Sequence, residues 1–345
     1  MDCFSYDLPR ERIAQRPVSP PEAARMLVVH RSTSGIKDLH FADFPCLVGE
    51  GDLLVFNNSK VIAARFFGSI SGSSPVELLL LEESPGSKWL CIGRPLKKFK
   101  QGAVIDLCGD VSAVIGERVG EYTVYITFLD KDGVHLDRQD LLLKGCMPIP
   151  PYIRNGVGDV QDRSDYQTSF AKVEGSIAAP TAGLHFSPSL IEAIGQRGCE
   201  IEYVTLHVGT HSFLPLHRVG GSLSRPGREN YLNDSALLNK IMSLRQSGGR
   251  VIAVGTTCVR ALESMARQAH SSSSSGAILA TELFIQPGFS FKAIDALVTN
   301  FHQPDTSHLQ LVEAFLGRPL LERCYSHALR GAYRFLSYGD GMFLC

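Results

Sequence analysis

Two regions of this 345-residue chain have different secondary-structure patterns, and this contrast constrains the fold more than any other feature. Residues 61 to about 149 contain short β-like segments separated by Gly, Ser and Asp, a pattern that predicts a small antiparallel barrel or sandwich. A stiff, proline-rich segment from Gly145 to Pro151 marks the end of this region. The strands predicted within it are Val76–Leu81, Trp89–Ile92, Ala103–Leu107, Val111–Ile115 and Tyr122–Phe128.

Residues 187–345 instead alternate helices with strands, as a mainly parallel α/β sheet does. Ser187 and Asp234 are predicted N-caps, and the apolar run Val251–Val254 predicts a strand covered on both faces. The other predicted elements are strands Ile201–Leu206, Leu283–Ile285 and Ala296–Phe301 and helices Val259–Ala269 and Thr306–Leu316.

The predicted fold class is therefore α/β, or α+β by some schemes. A mostly parallel or mixed sheet flanked by helices would form a body from residues 1–60 plus 150–345. Residues 61–149 would form an inserted, small antiparallel β-barrel-like domain.

Composition excludes several classes of protein. With 44% hydrophobic and 20% charged residues, the chain is neither disordered nor fibrous. A formal net charge of −1 excludes a general nucleic-acid coat protein, although a local basic patch remains compatible with it. The 9 cysteines show no CxxC spacing, which favours small core residues in a reducing compartment. Without a signal-peptide pattern or a run of about 20 apolar residues, we expect a soluble cytoplasmic protein.

The most informative motif is the segment in which the apolar strand Val251–Val254 runs into Gly255, Thr256 and Thr257 and then into a helix. Ligands of open α/β sheets bind at the carboxyl ends of strands, where a helix N-terminus offers free N–H donors. Gly255 would let a ligand approach the backbone, and the threonines would supply hydroxyls. An ordinary βα turn is the alternative, and the absence of a G-x-G-x-x-G fingerprint gives no support to a dinucleotide site.

Histidine-containing loops form a second group of candidates. The small residues of Ala179–Phe186, with His185 among them, are typical of a tight loop around a ligand, although a simple chain reversal is the alternative. His207 and His211 are four residues apart, a spacing that suggests metal on a helix. Here they follow a predicted strand and flank Gly209, so no metal site is predicted.

Arg94, Lys97, Lys98 and Lys100 form a cluster of cations around Phe99, without acidic residues. Lysine and arginine suit phosphate contacts, and an aromatic ring suits base stacking, so the cluster is a candidate RNA contact. A solvated charged turn is the alternative.

Long blocks of this sequence, in this order, resemble the S-adenosylmethionine:tRNA ribosyltransferase-isomerase family of the queuosine pathway. The resemblance covers almost the whole chain. Its blocks are Tyr6–Pro9, Ile13–Gln15, Gly51–Asn57, Ala64–Arg65, Met147–Ile153, Tyr166–Thr168, Ala178–Phe186, Val204–Gly209, Val251–Ser264, Asp295–His302 and Tyr333–Asp340.

The resemblance implies a transferase that moves and isomerises the ribosyl group of S-adenosylmethionine onto a tRNA. The acceptor is the aminomethyl group of 7-aminomethyl-7-deazaguanine at the wobble position, and the products are epoxyqueuosine, adenine and methionine. S-adenosylmethionine is then a substrate, and the expected partner is the anticodon arm of a tRNA. No prosthetic group, no metal and no membrane association is expected, and the chain is expected to be a monomer.

The chemistry of this reaction makes demands that residues in the resembling blocks meet. A base must remove a C5′ proton next to the sulfonium, and an acid must protonate the departing adenine. We expect His185 and His207 as acid–base candidates, together with Glu229. The other expected substrate contacts are Thr181, Gly183, Phe186, Gly209, Gly255, Thr256, Thr257, Arg260, Glu263, Asn300, His302 and Tyr338. Of these, Thr256, Thr257 and Arg260 would hold the methionine carboxylate or the ribose hydroxyls.

Two other functions are compatible with parts of the sequence. An S-adenosylmethionine-dependent RNA methyltransferase would share the strand-to-helix turn, but it usually has a Gly-rich first βα loop that this chain lacks. A catalytically impaired RNA-binding relative would explain why Ser222–Glu229 lacks the two histidines of the family's His-x-Met-His-x-Glu segment. His211 lies in another departure from the family pattern and is assigned no role.

Overall fold

A computed structural model of the protein describes residues 4–70, 72, 74–107, 110–209, 218–219, 222–223, 227–268 and 275–345. His211, which the sequence analysis considered as part of a histidine pair, lies outside the described residues.

The described chain contains strands in five sheets and helices that cover both faces of the largest sheet. The strands are β1 (Arg25–His30), β2 (Gly35–His40), β3 (Asp52–Asn57), β4 (Ser59–Val61), β5 (Arg65–Ile70), β6 (Ser74–Ser84), β7 (Lys88–Arg94), β8 (Val104–Leu107), β9 (Val111–Val119), β10 (Thr123–Leu129), β11 (Val173–Ser176), β12 (Glu200–Val204), β13 (Leu206–His207), β14 (Arg218–Val219), β15 (Ser222–Leu223), β16 (Glu229–Leu232), β17 (Arg250–Val254), β18 (Ile278–Thr281), β19 (Ala296–Asn300) and β20 (Gly341–Leu344).

The α-helices are α1 (Arg138–Lys144), α2 (Asp162–Asp165), α3 (Pro188–Gln196), α4 (Ser235–Gln246), α5 (Thr256–Gln268), α6 (Ser307–Leu316) and α7 (Arg318–Arg330). Short 3-10 helices span Arg10–Arg12, Pro21–Ala23, Phe41–Cys46, Leu96–Lys98, Arg154–Gly156 and Thr181–His185. Side chains of Ser187, Asp234 and Thr306 accept hydrogen bonds at the starts of α3, α4 and α6, so the two predicted N-caps are confirmed.

The largest sheet has seven strands in the order β12-β3-β17-β19-β20-β1-β2. The run from β12 to β19 is parallel, whereas β20 is antiparallel to β19, and β2 is antiparallel to β1. Successive residues of β17 pack on opposite faces: Val251 and Ala253 join the core under α4 to α7, and Ile252 and Val254 join the core under α3. The predicted mixed α/β sheet is confirmed.

Strands β5 to β10 close into an antiparallel barrel in the order β10-β7-β6-β5-β8-β9. Alternate residues of β10, Val124, Ile126 and Phe128, are buried inside it, as in a strand with one face turned to a core. All five predicted barrel strands are confirmed, and β5 completes the closure. The division into domains at residues 61 and 149 stays a prediction.

Three predicted element boundaries were wrong. Leu283–Ile285 is not a strand: the strand in this part of the chain is β18, which pairs with β16 and ends at Thr281. The apolar side chains that suggested a strand instead line a cavity, and Ile285 is buried in the core. The strand predicted over Ile201–Leu206 is interrupted, so that β12 and β13 pair with different sheets. Helix α5 begins at Thr256, three residues before the predicted start.

None of the described helices is both long and apolar enough to cross a membrane.

Candidate active site

A cavity of about 420 Å³ opens at the carboxyl ends of the parallel strands β17 and β19. The turn after β17 contributes Gly255, Thr256 and Thr257, and the end of β19 contributes Thr299 and Asn300. This is the edge of an open α/β sheet at which ligands bind. The wall is completed by residues from the loops and from α5 and α6, including Tyr152, Tyr166, Ala178–Ala182, Val208, Glu229, Arg260, Leu283–Ile285, Phe301–His308, Leu311 and Ser337.

The N-terminus of α5 faces this cavity. Gly255 has a φ of +95°, a conformation that favours glycine, and Thr256 starts the helix directly after it. The Thr257 hydroxyl oxygen is buried and has no nitrogen or oxygen partner among the described residues. A buried hydroxyl without a nitrogen or oxygen partner is rare in native proteins, and a polar ligand group or a water in the cavity would satisfy it. The free N–H groups of the first helical turn favour a carboxylate or another anion at the same place.

Arg260 and Glu229 form a buried ion pair in the cavity wall. The Arg260 Nε also donates to the Leu283 carbonyl at 3.1 Å, and the backbone N–H of Gly209 donates to Glu229 Oε1 at 3.1 Å. Burial lowers the pKa of the Arg260 guanidinium to about 10, so it is charged at neutral pH. The pair therefore links α5 and β16 to the segments that contain Gly209 and Leu283. Both carboxylate oxygens of Glu229 accept a contact, one from Gly209 and one from Arg260.

Two histidines line the cavity with their rings stacked, at 5.4 Å between the centroids of His302 and His308. The Thr299 hydroxyl lies 2.8 Å from His302 Nε2, and the Tyr325 hydroxyl accepts the His302 backbone N–H at 3.0 Å. Burial lowers the pKa of His302 well below its ordinary value, and burial together with the Arg260 charge lowers that of His308 to about 4. Both imidazoles are therefore neutral near pH 7 and do not repel a cationic ligand.

His185 lies behind the cavity wall rather than in it. Its ring is 5% exposed and stacks on Phe41 with the ring centroids 4.0 Å apart. Its Nε2 lies 3.3 Å from Asn300 Nδ2, and the Asn300 Oδ1 accepts the Thr181 hydroxyl at 2.8 Å. Burial, with a smaller effect of the Arg334 charge, lowers the pKa of His185 to about 3.

His207 is half-buried at the end of β13 and is not among the residues that line the cavity. Its Nδ1 lies 2.7 Å from the Ser59 hydroxyl, and its ring packs against Gly175. Burial, followed by the Arg138 charge, lowers its pKa. The two histidines expected to act in acid–base chemistry therefore do not share the cavity with Thr257, because of these three residues Thr257 alone lines it. Whether either imidazole acts in a reaction stays a prediction.

Glu263 also lies outside the cavity lining. It is 0% exposed and accepts the backbone N–H groups of Lys292 and Ala293 at 2.9 Å, while Arg267 pairs with it. A carboxylate so fully engaged holds the loop before β19 in place.

Four further predicted contacts lie outside the lining and have partners in the protein. Phe186 packs edge-on against Phe44 and Phe56, and Gly183 lies so close to Phe170 that a Cβ atom there would be 2.8 Å from its ring. Gly209 donates to Glu229, and the Tyr338 hydroxyl donates to the buried Asp162 at 3.1 Å. Of the predicted substrate and acid–base residues, the cavity brings together Thr181, Glu229, Gly255, Thr256, Thr257, Arg260, Asn300 and His302.

The cation cluster lies on the barrel, at the end of β7 and in the 3-10 turn that follows. Lys97 and Lys100 are exposed, and the Lys98 ammonium lies 3.4 Å from the Pro75 carbonyl. The expected stacking role of Phe99 was wrong, because its ring is buried against Gly93 inside the barrel. The candidate RNA contact therefore consists of four cationic side chains without the aromatic ring: Arg94, Lys97, Lys98 and Lys100.

Sequence reasoning missed several cavity residues, notably Tyr152, Tyr166, Phe284, Asp305 and His308. The signal for Asp305 and His308 was present, because both follow the carboxyl end of a predicted parallel strand, as Thr257 does. The other three lie outside the strands and helices; Tyr152 and Tyr166 fall within blocks that resemble the family, but neither these blocks nor the pattern around Phe284 predicted a place in a cavity. Within the described ranges, no group of three or more His, Cys, Asp or Glu residues could hold a metal ion.

An α/β body with a closed barrel, and with a cavity at the strand ends that is lined by apolar residues and a few polar groups, defines a class of ligand-binding enzyme scaffold. A family model described as "Queuosine biosynthesis protein" matches residues 1–344, and the chain belongs to this family.

Curated relatives cover the full length of the chain. One from Thermotoga petrophila is 41% identical over 341 residues, spanning 99% of this chain and 98% of the relative. One from Geobacter metallireducens is 41% identical over 351 residues, spanning 100% and 99%. Both are named S-adenosylmethionine:tRNA ribosyltransferase-isomerase. The crystal structure of the S-adenosylmethionine tRNA ribosyltransferase from Thermotoga maritima is 34% identical, covers 99% of each chain and superposes with a TM-score of 0.55.

Proposed function

We propose that this protein is an S-adenosylmethionine:tRNA ribosyltransferase-isomerase, the activity for which its full-length relatives are named. It transfers and isomerises the ribosyl group of S-adenosylmethionine onto the aminomethyl group of 7-aminomethyl-7-deazaguanine at the tRNA wobble position. The new nucleoside is epoxyqueuosine, and adenine and methionine are released.

The observation that carries this proposal is the buried Thr257 hydroxyl, which has no nitrogen or oxygen partner among the described residues and lies beside the N-terminus of α5 in a cavity of about 420 Å³. That volume falls within the range of about 300–1,000 Å³ that is usual for small-molecule sites. The threonine hydroxyl and the helical N–H groups suit the methionine carboxylate. Because Glu229 neutralises Arg260 and the two cavity histidines are neutral, the sulfonium meets no uncompensated cation there.

Proton transfer in this reaction needs groups that reach the ligand. His302 and His308 line the cavity as neutral imidazoles, so we assign them to proton transfer ahead of His185 and His207. Glu229 lines the cavity too, but its oxygens are held by Gly209 and Arg260, and we therefore assign it to holding the cavity wall.

The reaction itself tests the proposed function. The protein is incubated with S-adenosylmethionine and a tRNA that carries the aminomethyl base, and adenine, methionine and modified nucleoside are quantified. We expect equal amounts of the three, and none with a matched tRNA that carries unmodified guanine. Formation of S-adenosylhomocysteine would indicate the methyltransferase instead, and tRNA binding without adenine release would indicate the impaired RNA-binding relative.

The cations on the barrel would bind tRNA phosphates. Replacing Arg94, Lys97, Lys98 and Lys100 by glutamine should reduce the slope of log K for tRNA binding against log salt concentration by about 3 in magnitude. Each lost phosphate contact removes about 0.7–0.9 from this slope. Fluorescence anisotropy with labelled tRNA over a salt series measures this slope. Lys37→Gln, on the exposed part of β2, is the control and should leave the slope unchanged. An unchanged slope in the fourfold variant would remove the cluster from tRNA binding.

A further inference from the structure

Three residues from two separate segments form a hydrogen-bonded chain that ends at the cavity. Thr181, in the 3-10 helix Thr181–His185, donates its hydroxyl hydrogen to Asn300 Oδ1 at 2.8 Å. Asn300, the last residue of β19, has its Nδ2 3.3 Å from His185 Nε2. Thr181 and Asn300 line the cavity, whereas His185 does not.

This arrangement couples the protonation of the His185 ring to the orientation of the Asn300 amide. Because the Asn300 oxygen already accepts from Thr181, the Asn300 nitrogen faces His185 as a donor. Nε2 must then accept, which requires an imidazole without a proton on that nitrogen. The ring is buried against Phe41, which disfavours the charged form at any pH near neutrality.

The Asn300 amide is consequently held from both ends. An asparagine side chain can rotate by half a turn and exchange its oxygen and nitrogen, which would exchange an acceptor for a donor at the cavity wall. A threonine hydroxyl and a neutral imidazole can each donate or accept, so the amide orientation and the His185 tautomer are coupled: with Oδ1 accepting from Thr181, Nε2 is the unprotonated nitrogen. The amide nitrogen carries two hydrogens, and the contact with His185 uses one of them. The second hydrogen can therefore be donated to a ligand in the cavity.

We propose that His185 is a positioning residue, which acts through Asn300 to present a fixed amide donor and the Thr181 hydroxyl oxygen to the nucleoside part of S-adenosylmethionine. This inference rests on the proposed function for the identity of the ligand. His185 itself exchanges no proton with the substrate, and its contribution depends on the presence of Asn300.

The experiment is a double-mutant cycle that combines His185→Phe with Asn300→Ala, with kcat/KM measured by adenine release. Phenylalanine keeps the stack on Phe41 but cannot accept a hydrogen bond. We expect His185→Phe to reduce kcat/KM by about 10- to 50-fold in the wild-type background, as for loss of one oriented polar contact, and by less than about 2-fold when Asn300 is already alanine. Equal losses in both backgrounds would overturn the proposal.

A conservative replacement separates positioning from proton transfer. Glutamine at position 185 can accept from the Asn300 amide but does not titrate, so His185→Gln should recover most of the activity lost in His185→Phe and keep the wild-type pH profile. Loss of 100-fold or more, with one limb of the profile removed, would identify His185 as an acid or base and overturn the proposal. Thermal unfolding of each variant establishes that it is folded at the assay temperature.

The same variants distinguish this inference from the proposed function. If the wild type releases no adenine, the proposed function fails, and the coupling between positions 185 and 300 is then measured as the affinity for S-adenosylmethionine by calorimetry. Additive effects on that affinity, or no binding by the wild type, would overturn the positioning role.

Discussion

Replacing Arg260 by methionine is expected to reduce kcat/KM by about 100- to 1,000-fold, which corresponds to about 3–4 kcal/mol of transition-state stabilisation. The substitution keeps much of the aliphatic stem but leaves the Glu229 carboxylate, which is 7% exposed, without its cation. It also frees the Leu283 carbonyl from its contact with Nε, so that the cavity wall loses the link between α5 and the segment after β18. Steady-state kinetics of adenine release measures the loss.

The same substitution should also lower the free energy of unfolding, and a second variant separates this effect from the loss of activity. Breaking a buried ion pair by removing one partner typically costs about 3–5 kcal/mol, because the remaining charge is uncompensated. The double variant Arg260→Met/Glu229→Met removes both charges, so it should recover most of the stability in urea unfolding while its kcat/KM stays low. If the single variant retained wild-type activity, the ion pair would have no part in shaping the site.

Replacing Glu263 by alanine is expected to lower the free energy of unfolding by about 3 kcal/mol. The variant leaves two backbone N–H groups, those of Lys292 and Ala293, without their acceptor and removes the partner of Arg267. Unpaired buried donors and an unpaired charge are among the costliest single changes in a folded protein. Urea unfolding followed by tryptophan fluorescence and circular dichroism measures the change.

A matched substitution on another helix provides the control for this prediction. Glu192 is exposed on α3, and Glu192→Ala should change the free energy of unfolding by less than about 0.5 kcal/mol. Steady-state kinetics of Glu263→Ala, at a temperature where the variant is folded, also tests whether Glu263 contacts the substrate. A KM for S-adenosylmethionine close to the wild-type value is expected of a residue outside the cavity, whereas a large rise would support the substrate contact predicted from the sequence.

The sequence predicts the barrel from short β-like segments between turn residues, and it predicts the main sheet from alternating helices and strands. Both patterns agree with the burial seen in the structure. Alternation in β10 sends Val124, Ile126 and Phe128 inward, and an uninterrupted apolar run in β17 reflects a strand with helices on both faces. The prediction fails at Leu283–Ile285, where apolar residues pack into the core and line a cavity without joining a sheet. Local pattern does not distinguish these uses of apolar side chains.

The candidate site was predictable where it follows the end of a strand and unpredictable where burial decides the chemistry. Gly255, Thr256 and Thr257 were found because the turn after β17 has a general function in α/β sheets. His185 was expected to exchange protons, but its stacking on Phe41 and its contact with Asn300 depend on chain segments more than 100 residues away. The sequence of Ala179–Phe186 by itself does not indicate that the His185 side chain is buried.

The central claim is that S-adenosylmethionine binds in the cavity at the carboxyl ends of β17 and β19. Calorimetric titration of the wild type, of Thr257→Trp and of Ser243→Trp tests it most directly, since Thr257 lines the cavity and an indole there would take up ligand space beside the α5 N-terminus, whereas Ser243 is exposed on α4. We predict the same affinity for the wild type and Ser243→Trp and a loss of at least about 100-fold for Thr257→Trp, with all three proteins folded. Equal affinities in the three proteins would contradict the account.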